Sequence, residues 1–271
     1  MSRTKRRRRG TAARLLAAAA ALALAATGLA AALWAWLPDA AALAASFPET
    51  TALVEQRRAE ARREGRPFRP ELRPVPLDRI SPHLAAAVVL SEDAGFFGHA
   101  GFDWAEVRKA AEQNLRAGRT VRGASTITQQ LAKNLWLGTE RSWTRKVKEA
   151  ALAVKLERAL SKRRILALYL GVVEWGDGVF GAEPAARRWF GASAADLRPA
   201  QAAALAAMLP APRRAALSPA PRWLAKRARR VLDLMARTGK IGPAEHTLAR
   251  LELEVLLSAP AELPEEEPPE D

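Results

Sequence analysis

The chain has 271 residues and no cysteine, so it can hold one sizeable domain with accessory segments, and it excludes disulfide frameworks and thiolate metal sites. Its net charge of +14 suits anionic lipid surfaces, phosphates or nucleic acid. The charge is uneven, because residues 1–14 carry seven Arg or Lys residues and no acid, whereas the last ten residues carry six acids and no base. The body between these ends is itself basic.

The first predicted element is an apolar helix that follows the basic N-terminus. Residues 15–37 hold no charge, and at about 1.5 Å per residue they suffice to cross a hydrocarbon layer of about 30 Å. Trp34 and Trp36 lie at the far end, where interfacial aromatic residues are common. We therefore predict a cytoplasmic tail over 1–14 and a single transmembrane helix over 15–37. A cleaved secretory signal is the alternative, and both export the body, which argues against a nucleic-acid partner.

A series of predicted helices follows a polar, arginine-rich connector over 38–64. Prolines in RPELRPVPLDRISP indicate extended chain that runs into a helix capped by Ser81. Further capping residues predict helices that open after Asp103, Thr126, Ser142 and Ser161. More helices are predicted over 182–190, 199–208, 221–237 and 243–257, and no convincing alternating strand pattern is present.

These elements define the predicted organisation of the exported part. The helices predict one mainly α domain over 65–240, followed by a C-terminal helix over 241–258. Residues 259–271 are acidic and proline-rich, which predicts disorder.

Glu92 and Asp93 interrupt an apolar helical stripe in the stretch SEDAGFFGHAGFD. Leu84, Val88 and Glu92 are spaced i, i+4, i+8, so Glu92 is in line with the buried face. A carboxylate held against apolar surface has a raised pKa, which suits proton transfer. A solvated helix end is the competing interpretation. His99 follows, and a structural role in pinning the turn is favoured over a general-base role.

Two further stretches carry polar or charged groups beyond what helix formation needs. RGASTITQQLAKNLWL holds the side chains Ser125, Thr126, Thr128, Gln129, Gln130 and Lys133. Because capping needs only one or two of these, they suggest a surface for sugars or phosphate. Glu149 shares a helix side with Leu152, Ala153 and Leu156, and it is interpreted either as an i, i+4 ion pair with Arg145 or as a second active-site carboxylate beside a basic pyrophosphate clamp.

These stretches, with SKRRILALYLGVVEWGDGVFGAEPAARRWFG and LPAPRRAALSP, resemble the peptidoglycan glycosyltransferases (glycosyltransferase family 51), specifically the monofunctional, membrane-anchored biosynthetic transglycosylases. The resemblance covers about residues 65–235. It implies a mainly α, lysozyme-like, two-lobed glycosyltransferase domain on an N-terminal single transmembrane helix. The expected location is the cell inner membrane, with a cytoplasmic N-terminus and a periplasmic catalytic domain.

The resemblance also implies the reaction and its partners. The lipid-pyrophosphate-linked glycan is the expected donor and lipid II the acceptor, which reacts through its 4-hydroxyl with inversion. Cell-division or elongation proteins are expected as possible further partners, and nucleic acid is not. No cofactor is required, although a divalent cation, Mg or Mn, is expected as an option at the pyrophosphate.

Roles for individual residues follow from the same resemblance. Glu92 is the expected catalytic base and Glu149 the second essential carboxylate. The expected substrate- or pyrophosphate-binding residues are Lys133, Arg141, Ser125, Thr126, Gln129 and Gln130. Lys148 is expected among them from its place in the basic cluster before Glu149 rather than from the resemblance. Asp93, Phe97 and His99 are expected to support the site.

The sequence departs from the family pattern at two positions. Gly171 stands where the family has an asparagine and is expected to stop its helix without a side-chain hydrogen bond. Trp189 stands where the family has a phenolic residue, and it is expected to pack in the place of that residue. Two other classes stay open at this point: a lysozyme-like murein hydrolase or lytic enzyme, and a non-enzymatic, membrane-tethered wall-binding module.

Overall fold

The computed structural model describes residues 3–119, 123–140, 142–217 and 219–258, with their side chains except at 3–16, 29, 30 and 33. The tail predicted over 259–271 lies outside these residues. The chain divides into two units, Met1–Asp39 and Ala40–Asp271. The first unit contains α1, Arg3–Trp36.

Helix α1 covers most of the segment predicted to cross a membrane. The helical part of that prediction is confirmed for residues 15–36. Among the residues that the structure describes, no helix combines the length and the apolar character that a membrane crossing requires. The membrane-spanning role of 15–37 is therefore not confirmed.

The second unit is mainly α-helical. Its helices are α2 Ala52–Arg63, α3 Pro82–Glu92, α4 Trp104–Ala117, α5 Ile127–Ala132, α6 Trp143–Ala159, α7 Lys162–Val172, α8 Ala182–Phe190, α9 Pro199–Met208, α10 Arg222–Arg237 and α11 Pro243–Ser258. A π-helix, Lys133–Leu137, continues α5, and short 3₁₀ helices occupy Ala41–Ala44, Leu77–Arg79, Phe96–Gly98, Ala194–Asp196 and Pro212–Arg214.

The helix starts follow the capping residues that the sequence predicts. The side chain of Ser81 accepts a hydrogen bond from the backbone N–H of His83 at the start of α3. Asp103 caps α4, and Gly118 ends it in the left-handed conformation. Thr126 and Gln129 form a reciprocal capping box on α5. The side chains of Ser142 and Ser161 accept hydrogen bonds from backbone N–H groups at the starts of α6 and α7, so these predictions are confirmed.

Three short strands form a small sheet, so the expectation of no strand is wrong. The strands are β1 Glu71–Leu72, β2 Glu174–Gly176 and β3 Val179–Phe180, in the order β1-β3-β2. β2 and β3 are antiparallel around Asp177-Gly178, a hairpin turn in which Gly178 has φ +77°. β1 pairs in parallel with β3 and fastens the chain before α3 to this hairpin.

The region predicted as a polar connector contains helix α2. Its Arg57 is paired with the buried Glu174 of β2, with Nε at 3.0 Å from Oε1 and Nη2 at 2.8 Å from Oε2. Leu53 and Val54 pack with Phe180 of β3 in a buried cluster. The helix is therefore part of the domain.

Gly171 lies inside α7, which continues to Val172, so the expectation that this glycine stops the helix is wrong. A Cβ at this position would lie 2.9 Å from the Cβ of Pro74 and 3.3 Å from the ring of Phe47. The glycine therefore lets the segment before α3 pack directly on α7. Arg164 fastens the same segment, because its Nε donates to the carbonyl of Leu43 at 2.7 Å and its guanidinium stacks on Phe47.

The core around the site is formed by two groups of helices. α9 is buried along its whole length and packs against α3, α10 and α11, while α5 packs against α6 and α7. Trp175 is fully buried, and its indole N–H donates to the carbonyl of Leu205 in α9. Trp189 donates to the carbonyl of Trp175 at 3.0 Å, a hydrogen bond that accompanies its packing. Helices α3 and α5, which carry Glu92 and Gln130, are therefore each packed against other helices of the core.

The Arg57–Glu174 pair gives a stability prediction. Arg57→Ala leaves a carboxylate that is 4% exposed without its cation, so we expect a loss of about 3–5 kcal/mol in the free energy of unfolding. The neighbouring Arg58→Ala is the control, since its pair with Glu55 is more than 40% exposed on both sides and is expected to cost less than about 1 kcal/mol. Urea unfolding at neutral pH measures both. Equal losses would contradict a structural role for the buried pair.

Candidate active site

Glu92 is the last residue of α3, where the buried face of the helix meets an open cavity. Leu84, Ala87 and Val88 of this helix are fully buried, and the Glu92 side chain is 12% exposed. Each carboxylate oxygen has its own donor. Arg227 Nη2 of α10 donates to Oε1 at 2.6 Å, and Gln130 Nε2 of α5 donates to Oε2 at 3.0 Å. The carboxylate is therefore oriented as well as buried.

Burial raises the pKa of Glu92, because the ionised form loses water. The hydrogen bond from Gln130 and the positive charges of Arg227 and Lys133 act in the opposite direction. The net shift is upward, toward the range in which a carboxylate is an effective general base. The interpretation of Glu92 as a merely solvated helix end does not fit this environment.

The cavity at Glu92 has a volume of about 760 Å³. It lies between the end of α3, the start of α4, the segment before α5, and α10. Its lining includes Ser91, Glu92, Asp103, Glu106, Gln113, Ser125, Thr126, Gln130, Pro210, Arg227 and Arg230. Hydroxyl, amide and charged groups thus surround the carboxylate, a lining suited to a hydroxyl-rich ligand such as a sugar.

Asp93 has a different environment from Glu92. Its Oδ2 accepts a hydrogen bond from the backbone N–H of Ile127 at the start of α5, and His99 Nε2 lies 2.9 Å from Oδ1. His99 Nδ1 accepts from the backbone N–H of Gly101, so Nε2 carries the proton that it donates to Asp93. Asp93 and His99 therefore join the end of α3 to the start of α5.

The polar residues before and within α5 divide between capping and the cavity. The hydroxyl of Thr126 and the amide oxygen of Gln129 complete the capping box, and Thr126 also donates to the carbonyl of Gly101. Ser125 is exposed and accepts from Lys146 at 3.3 Å. Gln130 contacts Glu92 directly. Of this group, Gln130 is the residue that the structure brings to the catalytic candidate.

Lys133 begins the π-helix, a rare geometry that often occurs at functional sites. Burial lowers the pKa of Lys133, and the charges of Arg145 and Lys146 add to this effect. Glu149 and Glu92 act in the opposite direction, so Lys133 interacts electrostatically with both carboxylates. Lys133 therefore couples the part of the candidate site around Glu92 to the part around Glu149.

Glu149 is buried on α6, on the same side as Leu152, Ala153 and Leu156. Arg145 Nη1 donates to its Oε2 at 2.6 Å, and Lys146 Nζ donates to its Oε1. The predicted ion pair and the buried carboxylate are therefore both present. Within the part of the chain that the structure describes, no group of three or more acidic or histidine side chains is arranged to hold a metal ion.

The remaining predicted residues are more peripheral. Phe97 is 61% exposed and contacts the fully buried Phe96 edge to face. Lys148 is half-buried on α6, one residue before Glu149. Arg141, a predicted pyrophosphate ligand, lies outside the described residues.

Two residues at the site were missed in the sequence. Arg227 lies at the edge of the buried face of α10, three residues after Leu224 and four before Val231, a spacing that could have indicated it. Tyr169 is fully buried on α7, and its hydroxyl donates to Gln130 Oε1 at 2.8 Å. It is the only tyrosine in the sequence, within an otherwise apolar stretch.

Comparison with known proteins gives the family. The model of the family described as Transglycosylase matches residues 58–236. A biosynthetic peptidoglycan transglycosylase of Azoarcus sp. (strain BH72) is 56% identical over 162 residues, which are 60% of this chain and 70% of the relative. Proteins of the same name are 51% identical in Aromatoleum aromaticum, over 69% of this chain and 81% of theirs, and 45% identical in Nitrosospira multiformis, over 70% and 82%.

The family match and these relatives show that the mainly helical domain is a glycosyltransferase domain and that the chain belongs to the transglycosylase family. It is an enzyme of peptidoglycan synthesis, a peptidoglycan transglycosylase. The resemblance seen in the sequence motifs is thereby confirmed, and the non-enzymatic wall-binding class is set aside.

The Arg227–Glu92 contact predicts a pH effect. Because the guanidinium stabilises the ionised carboxylate, Arg227→Ala raises the pKa of Glu92 further, and a larger fraction of the base is protonated at low pH. We expect the acidic limb of the transglycosylase pH profile to move upward by about one unit. Arg229→Ala is the matched control on α10, since Arg229 forms an exposed pair with Glu254. An unchanged acidic limb in Arg227→Ala would argue against this coupling.

Proposed function

We propose that this enzyme polymerises glycan strands by transferring the lipid-pyrophosphate-linked growing glycan to the GlcNAc 4-hydroxyl of lipid II. The transfer inverts the anomeric centre, forms a β-1,4 linkage and releases undecaprenyl diphosphate. The observation that carries the proposal is the buried Glu92, whose pKa is raised by burial and whose carboxylate opens on a polar cavity. A base in this state suits deprotonation of a sugar hydroxyl.

Glu92 acts as the general base in the proposed reaction. Its carboxylate takes the proton of the acceptor 4-hydroxyl while the hydroxyl oxygen attacks the anomeric carbon of the donor. The bond between that carbon and the pyrophosphate oxygen breaks, and the electron pair leaves with the pyrophosphate. Arg227 and Gln130 hold the carboxylate in place during the transfer, which reduces the entropic cost of reaching the transition state.

The cationic side chains near Glu149 are proposed to bind the pyrophosphate. Lys133 interacts with both carboxylates, and Arg145 and Lys146 are held on Glu149. Positive charge at this place stabilises the negative charge that develops on the leaving group. Arg141 is assigned to the same function from the family resemblance, and Lys148 from its place in the basic cluster before Glu149. Ser125 and Thr126 are proposed to line the bound substrate.

Glu149 is proposed to organise this cationic group. Both of its carboxylate oxygens are already paired with the cations Arg145 and Lys146, and among the described residues no group of three or more acidic or histidine side chains is arranged to hold a metal ion there. The donor set at Glu149 therefore does not fit a metal ion well, and no step of the proposed reaction uses one.

The two-lobed fold and the cellular location are also part of this proposal. The two helix groups on either side of the cavity support a lysozyme-like, two-lobed domain. The charge-free stretch over 15–37 after a basic N-terminus supports a single-pass anchor in the inner membrane, with the catalytic domain periplasmic. Lipid II and lipid-linked glycan are the proposed substrates.

Glu92→Gln tests the proposed base. The substitution keeps the size of the side chain but cannot accept the proton, so we expect loss of strand formation from labelled lipid II in detergent, without any nucleotide sugar. Glu112→Gln, an exposed glutamate on α4, is the matched control and should keep wild-type activity. Circular dichroism of both variants checks that they are folded.

Two outcomes would overturn this proposal. Strand formation by folded Glu92→Gln at the wild-type rate would remove Glu92 from the reaction. Release of soluble fragments from finished peptidoglycan, with no polymerisation of lipid II, would indicate the murein hydrolase instead.

The anchor gives a separate prediction. If residues 15–37 span the membrane, the full-length chain stays in the membrane fraction after alkaline carbonate extraction, and its intact mass includes the N-terminus. A chain shortened at its N-terminus and released by carbonate would contradict the anchor and support a cleaved signal.

A further inference from the structure

A line of hydrogen bonds joins three helices behind the catalytic candidate. The hydroxyl of Tyr169 on α7 contacts Gln130 Oε1 on α5 at 2.8 Å, and Gln130 Nε2 contacts Glu92 Oε2 on α3 at 3.0 Å. Tyr169 is fully buried and makes no direct hydrogen bond with Glu92 in the described structure. The hydrogen-bonded path from its hydroxyl to Glu92 therefore runs through the Gln130 carboxamide.

The orientation of that carboxamide decides which form of Glu92 it favours. Its two ends have nearly the same shape, but the NH₂ end donates hydrogen bonds and the oxygen end only accepts them. With the NH₂ end toward Glu92, the ionised carboxylate is stabilised. With the oxygen end toward Glu92, only the protonated carboxyl group makes a hydrogen bond. A flip of Gln130 thus changes the pKa of Glu92 without moving either backbone.

Tyr169 supplies what holds the carboxamide in the first orientation. The Gln130 oxygen can only accept, so the Tyr169 hydroxyl donates its single hydrogen to it. In the flipped orientation the hydroxyl oxygen could accept from the NH₂ end, but its own hydrogen, in a fully buried position, would lose this acceptor. Burial raises the pKa of Tyr169 well above its usual value, and the charge of Glu92 adds to the shift. The hydroxyl therefore keeps its hydrogen throughout the working pH range.

We propose that Tyr169 is a positioning residue that fixes the orientation of the Gln130 carboxamide and thereby keeps Glu92 available as the ionised base. The inference rests on the proposed role of Glu92 as the base. Tyr169 does not touch the reacting atoms, and its effect is on the state of Glu92.

The other charged groups around Glu92 do not replace this contact. Arg227 of α10 occupies Oε1, so Oε2 depends on Gln130. Lys133 of the π-helix acts on Glu92 through its charge, and Asp93 is adjacent in the chain. Asp103, Glu106 and Arg230 line the same cavity. None of these contacts fixes the Gln130 carboxamide from its oxygen end as Tyr169 does.

The test is the titration of Glu92 in the full chain without substrate. Carbon-13 NMR of the labelled glutamate carboxyl groups, with the Glu92 signal assigned by its loss in Glu92→Gln, follows ionisation directly. We expect Tyr169→Phe to raise the titration midpoint by about one pH unit, the size of one hydrogen bond to a charged group. The acidic limb of the pH profile of strand formation should move by the same amount. Activity should therefore fall roughly tenfold on the acid side and stay near the wild-type level at high pH.

A double-substitution cycle separates positioning from general damage. If Tyr169 acts through Gln130, Tyr169→Phe causes no further shift of the Glu92 midpoint in a Gln130→Met background. Thr128→Val is the matched control, since it removes a buried hydroxyl on α5 that donates to Glu157, and it should leave the Glu92 midpoint unchanged. Thermal unfolding checks the fold of each variant.

An unchanged Glu92 midpoint in folded Tyr169→Phe would overturn the inference, as would an equal shift with and without Gln130. The titration needs no turnover, so it is independent of the proposed reaction. If Glu92→Gln still polymerised lipid II, the proposed function would fail while the titration continued to report the coupling of Tyr169 to Glu92.

Discussion

The burial of an ionisable carboxylate at the end of α3 is the constraint on which the site depends. A buried carboxylate without partners would stay protonated and could not act as a base, so its donors determine how far the pKa rises. The packing of α3 against α9 and α10 brings Arg227 to one oxygen of Glu92, and α5 brings Gln130 to the other. The pKa of Glu92 is thus set by the placement of three helices rather than by its neighbours in the chain.

The same arrangement explains why the two adjacent acids Glu92 and Asp93 have different environments. Asp93 is buried, and its oxygens accept from His99 and from the backbone N–H of Ile127 at the start of α5. A carboxylate at a helix start is favourable because the first N–H groups of the helix have no partners within it. Asp93 therefore fixes the distance between α3 and α5, and this distance lets Gln130 reach Glu92. Asp93 thereby makes the environment of Glu92, the proposed base, possible.

Local signals in the sequence were sufficient to predict most helices and the position of Glu92 in line with the buried face of α3. Capping residues such as Ser81 and Asp103 act within one turn, and the i, i+4 spacing that placed Glu92 in line with the buried face depends only on helix geometry. The partners of Glu92 are not local, since Arg227 lies 135 residues away and is brought near by tertiary packing. Helix α2 has a local cap at Thr51 that was overlooked, whereas its packing on the domain was not predictable locally, because Glu174, the partner of Arg57, is 117 residues distant.

The contacts of α2 show that residues outside the family motifs also support the candidate site. Gln56 donates to the Thr139 hydroxyl at 2.6 Å and accepts from the Thr139 backbone N–H at 2.7 Å. Thr139 follows the π-helix that begins at Lys133, and the intervening Gly138 has φ +69° with the Gln56 oxygen 2.6 Å from where a Cβ would lie. Only glycine fits this turn without strain or displacement of the glutamine. The residues before the family match at 58 therefore hold the segment that carries Lys133, and the connector predicted from the sequence is part of the scaffold of the active site.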